Sequence, residues 1–307
     1  MKSGSRLERI LEQGLFAVTA ELNPPRGNDP GPLRKKADLL KGSVDAINIT
    51  DNPSATVQMA SIAAGALLVQ MGLEPVIHVV TRDRNRIALQ SDLLGATALG
   101  IKNVLCLTGD HQRFGNQAEA KNVHDLDSIQ LTDCLRILRD RGTLLGGGEK
   151  IEGRVDLFIG GTINPFADPL ELQLIRLAKK IRAGADFIQT EAIYDMDRFR
   201  EWMGMLRERG LTQKVFLLAG VSPLRSGDRS SYLRKNLSAV PIPQALIDRV
   251  TGARDPEEEG IRICVEQIQE LKEMEGIRGI HIMGVEYEPK VRQIMEMTGL
   301  LPRPNVT

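Results

Sequence analysis

Three carboxylates in this chain stand where an apolar run gives out. Glu21 follows Phe16-Ala17-Val18-Thr19-Ala20, Asp110 follows Val104-Leu105-Cys106-Leu107 after Thr108 and Gly109, and Glu191 follows Gln189-Thr190. An ionisable group at the end of an apolar run is costly to hold unless it is paired or solvated. Brought to one mouth, such acids split their pKa values and supply a proton donor beside an anion. Each also reads as a turn former or a solvated rim charge. That blander reading is weakest for Glu21, because a carboxylate just before Leu22-Asn23-Pro24-Pro25 is an odd choice for a simple turn.

Other chemistries find less support. His78 lies inside an apolar run, where a histidine is more often a hydrogen-bonded core residue than a ligand. Neither His111 nor His124 has a partner at metal-ligand spacing and no HExxH is present, so no metal site is expected. No GxSxG marks a nucleophile, and no GxGxxG follows a strand. Gly146-Gly147-Gly148 reads as a loose turn rather than a phosphate cradle.

The elements that must carry these residues repeat. Apolar runs at 16–22, 45–50, 75–80, 103–107, 156–161, 186–190, 215–221 and 279–283 read as strands. Most are continuous rather than alternating, which suits parallel strands covered by helices. Helical patterns at 32–41, 55–71, 84–98, 128–141, 169–183, 196–209, 256–274 and 288–297 follow them in turn, with Asp127 or Ser128 capping the fourth and Gly184 ending the fifth. Eight strand–helix units predict an α/β fold, a (β/α)8 (TIM) barrel, with an open doubly wound sheet as the alternative. No Gly-, Pro- or Ser-rich linker divides the 307 residues, so 1–307 read as a single barrel domain, with 301–307 as a frayed tail.

In such a barrel the chemistry sits at the C-terminal ends of the strands. The strands then deliver, in order, Glu21 and Asn23; Thr50, Asp51 and Asn52; Thr81 and Arg82 beyond His78; Thr108, Gly109 and Asp110; Thr162, Asn164 and Pro165; Gln189, Thr190 and Glu191; Ser222; and Glu286. Long connections at 108–127 and 222–255 are where function is expected to concentrate.

The bulk numbers exclude several classes. Lys+Arg and Asp+Glu both number 40, so no net charge argues for nucleic acid. The three cysteines are scattered, which makes no disulfide framework and suits a reducing, cytoplasmic setting. The polar start at 1–12 has no apolar leader and then turns helical, and no run approaches the ~20 apolar residues of a membrane span.

Several segments, in order, together resemble the methylenetetrahydrofolate reductase family in its short bacterial form, over essentially the whole length. They are Glu21-Leu22-Asn23-Pro24-Pro25-Arg26, Asn48-Ile49-Thr50-Asp51, Leu107-Thr108-Gly109-Asp110, Asp125-Leu126-Asp127-Ser128-Ile129, Gly160-Gly161-Thr162-Ile163-Asn164-Pro165, Gly184-Ala185-Asp186-Phe187-Ile188-Gln189-Thr190, Val221-Ser222-Pro223-Leu224-Arg225-Ser226 and Gly279-Ile280-His281-Ile282-Met283. The resemblance implies a flavin, FAD ahead of FMN, bound at the barrel mouth. It also implies ping-pong reduction of methylenetetrahydrofolate to methyltetrahydrofolate, a step of one-carbon metabolism and methionine biosynthesis. By the same resemblance Glu21 is the acid that opens the folate ring, and Asp110 lies beside both flavin and pterin. Thr50, His78, Thr108 and Gly109 are implied flavin contacts, while His124, Asp125, Leu126, Asp127, Ser128, Thr162, Asn164 and Lys180 hold its ribityl chain, phosphate and adenine. Gln189, Glu191 and Leu224 fall on the substrate side. Lys180 also reads as a solvated helix lysine.

The departures from the family pattern concern partners. Glu191 stands where many relatives have Gln, and a carboxylate cannot donate unless protonated. Leu224 stands where some relatives place an aromatic ring, and Thr108 where some place Arg. Electrons are therefore expected from NAD(P)H or from an iron–sulfur electron-transfer subunit, within a homo- or hetero-oligomer. The chain's cysteines do not suffice to hold a cluster themselves. The rival readings are a pterin-binding barrel that transfers a methyl group, and a non-catalytic barrel subunit of a larger assembly.

Overall fold

The computed structural model describes residues 1–226, 241–283 and 287–306. Eight parallel strands close into a barrel in sequence order: β1 (Ala17–Leu22), β2 (Ala46–Ile49), β3 (Pro75–Val80), β4 (Asn103–Leu107), β5 (Phe158–Ile163), β6 (Phe187–Ala192), β7 (Phe216–Val221) and β8 (Ile277–Ile282). β8 pairs back onto β1 through Thr19↔His281, which closes the ring. The strands at 75–80 and 103–107 lie where the sequence puts them. β5 begins two residues later than its apolar pattern, because Val155 and Leu157 pack outside the sheet in a helix-covered cluster.

Helices α1 (Arg6–Glu12), α2 (Gly31–Leu40), α3 (Ser61–Gln70), α4 (Arg86–Ala98), α5 (Ser128–Arg141), α6 (Leu170–Ala183), α7 (Met196–Glu208), α8 (Gln244–Gly252), α9 (Pro256–Glu273) and α10 (Glu288–Met297) surround it. Their punctuation is local. Asp127 and Gln130 form a reciprocal capping box at the start of α5, and Gly142 ends that helix in the left-handed conformation. Asp255 caps α9, whose first turn carries Glu257, Glu258 and Glu259 at the positive end of the helix dipole.

Three expectations need correction. The helical pattern at 55–71 is shortened to α3, because Asn52, Ser54 and Ala55 take left-handed backbone conformations and a single turn, Pro53–Ala55, intervenes. The connection after β7 holds α8, whose Ile247 and Val250 bury into a cluster with Ile263 of α9. The tail expected to fray is docked through residue 306: Arg303 pairs with the buried Asp45 at 2.5 Å and donates to Phe16 O at 2.7 Å, and Val306 is buried. A carboxylate as buried as Asp45 requires cations, and Arg303 and Arg6 supply them. Glu286 lies outside the described residues, as do 227–240 of the long connection after β7. No helix among the described residues is long and apolar enough to cross a membrane.

Side chains alternate along each strand, so every second residue points inward. The lowest inward layer is apolar: Ala17, Ala46, Val76, Leu105, Phe158, Phe187 and Leu218 pack together with Leu7, Ile10 and Leu11 of α1, which seals the bottom. Phe158 and Phe187 stack with ring centroids 5.1 Å apart. Gly160 leaves the space for them, since a Cβ there would meet the Phe187 ring at 2.3 Å. Gly160→Ala is therefore expected to lower stability by about 1–3 kcal/mol, as overpacking does. Gly147→Ala, whose Cβ meets nothing within 4 Å, serves as control. Urea unfolding midpoints check this, and equal midpoints for the two variants would show that the interior is not closely packed.

Candidate functional site

Above the apolar layer the inward positions turn polar. Thr19, Asn48, His78, Gln189 and His281 form one hydrogen-bonded layer across the barrel. Asn48 Nδ2 donates to Gln189 Oε1 at 2.8 Å and faces His78 Nε2 at 3.0 Å. Gln189 Nε2 donates to Thr19 Oγ1 at 3.1 Å and to Asn48 Oδ1 at 3.2 Å, and Thr19 Oγ1 lies 2.9 Å from His281 Nδ1. Burial holds both imidazoles neutral, with His78 and His281 each brought down to about 3.

One inward step higher lie Thr50, Thr162, Glu21 and Glu191, at the wall of a cavity of about 630 Å³ at the C-terminal ends of the strands. This is the end of the barrel where TIM-barrel chemistry is found. A hollow of similar size, about 690 Å³, opens at the opposite end around Arg6, Asp45 and Arg303, whose ion pairs tie the two termini to the barrel. The mouth cavity carries the convergent functional groups.

Glu21 keeps part of its surface open to that cavity, but the barrel encloses it. Desolvation, and then the Glu191 charge, raise its pKa to about 7. Burial raises Glu191 as well, with Asp110 adding to it. No cation pairs directly with either carboxylate among the described residues. Asp110 itself stands exposed on the rim.

The rim above β2 to β4 is tied by two arginines. Arg82 is buried; it donates to Asp110 O at 3.0 Å and to Asn52 O at 3.3 Å and pairs with Asp83 at 2.7 Å. Arg84 pairs with buried Asp51 at 2.7 Å, and Asp51 also accepts from Val80 N. Gly109 has φ +87, and a Cβ there would press on Val80 and Arg82 at 3.1 to 3.3 Å. Thr50 donates to Asn23 Oδ1 at 2.8 Å, which joins the β1 and β2 loops.

The opposite wall is basic. Lys180 reaches inward from α6 and donates to Thr162 O at 2.6 Å. Burial first, and Arg176 next, lower its pKa to about 8. Arg176 and Gln173, one and two turns earlier on α6, line the same cavity. Thr108 accepts from Ser128 N at 3.3 Å.

The structure thus gathers Glu21, Thr50, His78, Thr108, Gly109, Asp110, Ser128, Thr162, Asn164, Lys180, Gln189 and Glu191 around one cavity. It does not bring the rest there. Asp125 pairs with Arg86 at 2.8 Å, Leu126 is buried in the core between helices, and Asp127 is spent as a helix cap. His124, exposed in a left-handed conformation, does not line it either. Leu224 is buried in the cluster with Tyr194, Ile247 and Ile263, its carbonyl against Gly260, where a Cβ would come within 1.6 Å. Sequence reasoning placed Asn52 and Arg82 at strand ends without giving them a role, and left out Gln173, Arg176 and His281 as site residues. The helical spacing 173, 176, 180 would have found the α6 stripe once Lys180 was nominated, and the inward parity of β8 would have found His281.

The family model for methylenetetrahydrofolate reductase matches residues 6–299. The chain is 24% identical to the Caenorhabditis elegans protein "Probable methylenetetrahydrofolate reductase (NADPH)", over 96% of this chain and 44% of that one. It is 25% identical to "Methylenetetrahydrofolate reductase 1" of Schizosaccharomyces pombe, over 75% of this chain and 36% of that one. It is 22% identical to "Methylenetetrahydrofolate reductase (NADH) 1" of Arabidopsis thaliana, over 100% of this chain and 52% of that one. The chain thus spans about half or less of the length of these relatives. Among solved structures, an uncharacterised Clostridium thermocellum protein that binds two copies of 5-methyl-5,6,7,8-tetrahydrofolic acid shares the fold, with TM-score 0.67 at 15% identity, covering 96% of this chain and all of that one. The match across nearly all of the barrel, from α1 to the end of α10, makes this chain a member of the methylenetetrahydrofolate reductase family.

Proposed function

We propose that this chain binds a flavin and reduces 5,10-methylenetetrahydrofolate to 5-methyltetrahydrofolate. The observation that carries the reading is Glu21, a carboxylic acid kept protonatable near neutrality in the barrel mouth that it shares with Asp110 and Glu191. Family membership and the methyltetrahydrofolate bound by the Clostridium thermocellum protein support it.

The cavity fits a flat heterocycle with an anionic arm. Val80, Leu105, Leu107, Ile163 and Met283 offer apolar contact. Gly109 lets backbone approach closely, and Lys180 with Arg176 supplies positive charge at one wall. In this reading Thr50, His78, Thr108 and Gly109 hold the ring system, and Ser128, Thr162, Asn164 and Lys180 hold the arm. A flavin, when bound there, supplies the two-electron hydride chemistry that no side chain of the protein can perform.

The protein's own groups act on the folate. Glu21 gives its proton to the ring nitrogen that leaves as the five-membered ring opens. Asp110 and Glu191 place negative charge near the cationic iminium so formed, which lowers its energy in a partly desolvated site. Ionised Glu191 accepts from the amino and ring N–H groups of the pterin. Leu224 has no ring to stack on a nicotinamide, and it is packed under α9. Electrons are accordingly proposed to come from a partner protein with an iron–sulfur centre rather than from free NAD(P)H.

Three outcomes are expected. The protein reconstituted with FAD or FMN should show a flavin absorption band that bleaches on anaerobic addition of 5-methyltetrahydrofolate; a protein that takes up neither flavin would remove the reductase reading and favour a pterin-binding transferase. The same band should respond slowly to NADH in the isolated chain, and rapid bleaching by NADH would overturn the partner donor.

The third concerns pH. Glu21 is active as the protonated acid, so folate reduction should be full well below pH 7 and fall as pH rises through about 7. Glu21→Gln should slow this half-reaction by roughly 100-fold and flatten that limb. Glu191→Gln, by removing the second cause of the raised pKa, should shift the limb to lower pH. Stopped-flow rates against pH decide it, and an unmoved limb in Glu21→Gln would assign the proton elsewhere.

A further inference from the structure

The floor of the mouth holds two imidazoles, His78 and His281, and both line the cavity while almost wholly buried. They lie close enough for His78 to help depress the pKa of His281. Neither carries a charge near neutral pH, so each has one nitrogen with a proton and one without. Which nitrogen holds the proton is set by the bond the other one makes.

At His281 that bond is to Thr19. The Thr19 hydroxyl has one proton and already accepts from Gln189 Nε2. Its proton has two acceptors in reach, His281 Nδ1 at 2.9 Å and Ile280 O at 3.4 Å, and the first has the geometry of a good bond. Thr19 therefore donates to Nδ1, which leaves the His281 proton on Nε2. The same direction runs through the whole layer: Asn48 Nδ2 donates to Gln189 and to His78, so the His78 proton sits on Nδ1. Reversing either carboxamide would reverse every bond in the layer, so the orientation is an all-or-none property of the network.

The consequence lies at the cavity. Among the described residues His281 Nε2 has no protein partner, yet His281 lines the mouth. Nε2 opens on the cavity, so a ligand that brings an acceptor there replaces solvent with a directed hydrogen bond in a partly desolvated site. The carboxylates of the mouth accept hydrogen bonds when ionised, so a neutral N–H donor on the floor adds a complementary function. We propose that His281 is a ligand-binding residue, whose Nε2–H donates to a carbonyl oxygen or ring nitrogen of a fused pyrimidine ring. That moiety is shared by flavin and pterin, and the assignment rests on the flavin and folate reading above.

The test is ¹⁵N NMR of histidine-labelled protein, with the His281 signals identified by their loss in His281→Leu. Before any ligand, Nδ1 should resonate as a bare acceptor and Nε2 as a protonated nitrogen. Loading with FAD or FMN should then move the Nε2–H signal if the flavin is the acceptor. A shift only when 5-methyltetrahydrofolate joins the loaded protein makes the pterin the acceptor. His281→Leu should weaken whichever ligand produces the shift by about tenfold, the loss of one hydrogen bond. Thr19→Val, which keeps the shape and removes the hydroxyl, should give a mixture of the two tautomers, which tests the bond that fixes the proton, while the ligand-dependent Nε2–H shift is the signature that a purely structural role for His281 would not give. A proton found on Nδ1 in the unliganded protein overturns the assignment. So does an Nε2–H signal that stays in place while both ligands bind. Unmoved shifts together with no bound flavin and no bound folate are a separate result, which removes the functional reading and this assignment with it.

Discussion

The Gln189 carboxamide reaches across the barrel interior to Thr19 of β1 and Asn48 of β2, and the arrangement of the mouth depends on those bonds being made. Thr19, Asn48 and Gln189 are all buried there, and each bond left open costs roughly 1–3 kcal/mol. The strands must therefore hold these residues inward and level with one another. Because side chains alternate with a period of two, this also decides the layer above. If Thr19 faces in, so does Glu21; if Asn48, then Thr50; if Gln189, then Glu191. A slip of one residue in any of these strands would turn its functional group outward and break a buried bond at once. Stability of the polar layer and correctness of the site are thus one constraint.

The layer beneath gives the site its electrostatics. Phe158, Phe187 and their neighbours fill the barrel below the polar residues, and α1 closes the end. The cavity is consequently a dead end, reached by water only from above. Glu21 and Glu191 sit in its wall with no cation bonded to them among the described residues, so desolvation is the leading cause of both raised pKa values. The Glu191 charge on Glu21, and the Asp110 charge on Glu191, act in the same direction. A barrel with a wet interior at the same register would leave these carboxylates near their ordinary values, and Glu21 would then be an anion at neutral pH.

Much of this was legible in the residues, for reasons that also explain what was not. Glu21 declared itself because a carboxylate just before Leu22-Asn23-Pro24-Pro25 is an odd choice for a turn, whereas Asp110, exposed at the rim, also fits its blander reading as a solvated rim charge. β5 was read two residues too early, but a shift of two preserves parity, and Thr162 still faces inward. His281 did not stand out because Ile280 and Ile282 flank it, and inside an apolar run an isolated polar residue looks like packing. The resemblance nominated 124–128 as a contiguous block, whereas the structure divides it residue by residue among an ion pair, a core position, a helix cap and the cavity wall. Contiguity in sequence does not survive at a helix start, where successive side chains leave in different directions. The docked tail was misread for a different reason: Arg303 finds its partner Asp45 across 258 positions of sequence, a distance over which local pattern carries no information.

The rim shows how the protein reconciles order with strain. Asn52, Ser54 and Ala55 all take left-handed conformations, each costing on the order of 1–3 kcal/mol where side chains are present. That cost is borne only if surrounding contacts over-determine the loop. Arg82 holds Asn52 O and Asp110 O with one planar guanidinium, and Gly115 packs so closely that a Cβ would lie 1.7 Å from Ala55 O. A lysine could not take the place of Arg82, since a single ammonium lacks the fork that reaches two carbonyls and a carboxylate together. The loops after β2 and β4 are thereby joined into one wall, with Asp110 at its edge. Across the mouth the α6 wall is basic, the β1 and β6 side is acidic, and the floor is neutral and hydrogen-bonding. A ligand entering this cavity is oriented by three chemically different surfaces before any bond is changed, which is the condition under which a proton held by one glutamate can be delivered to one chosen atom.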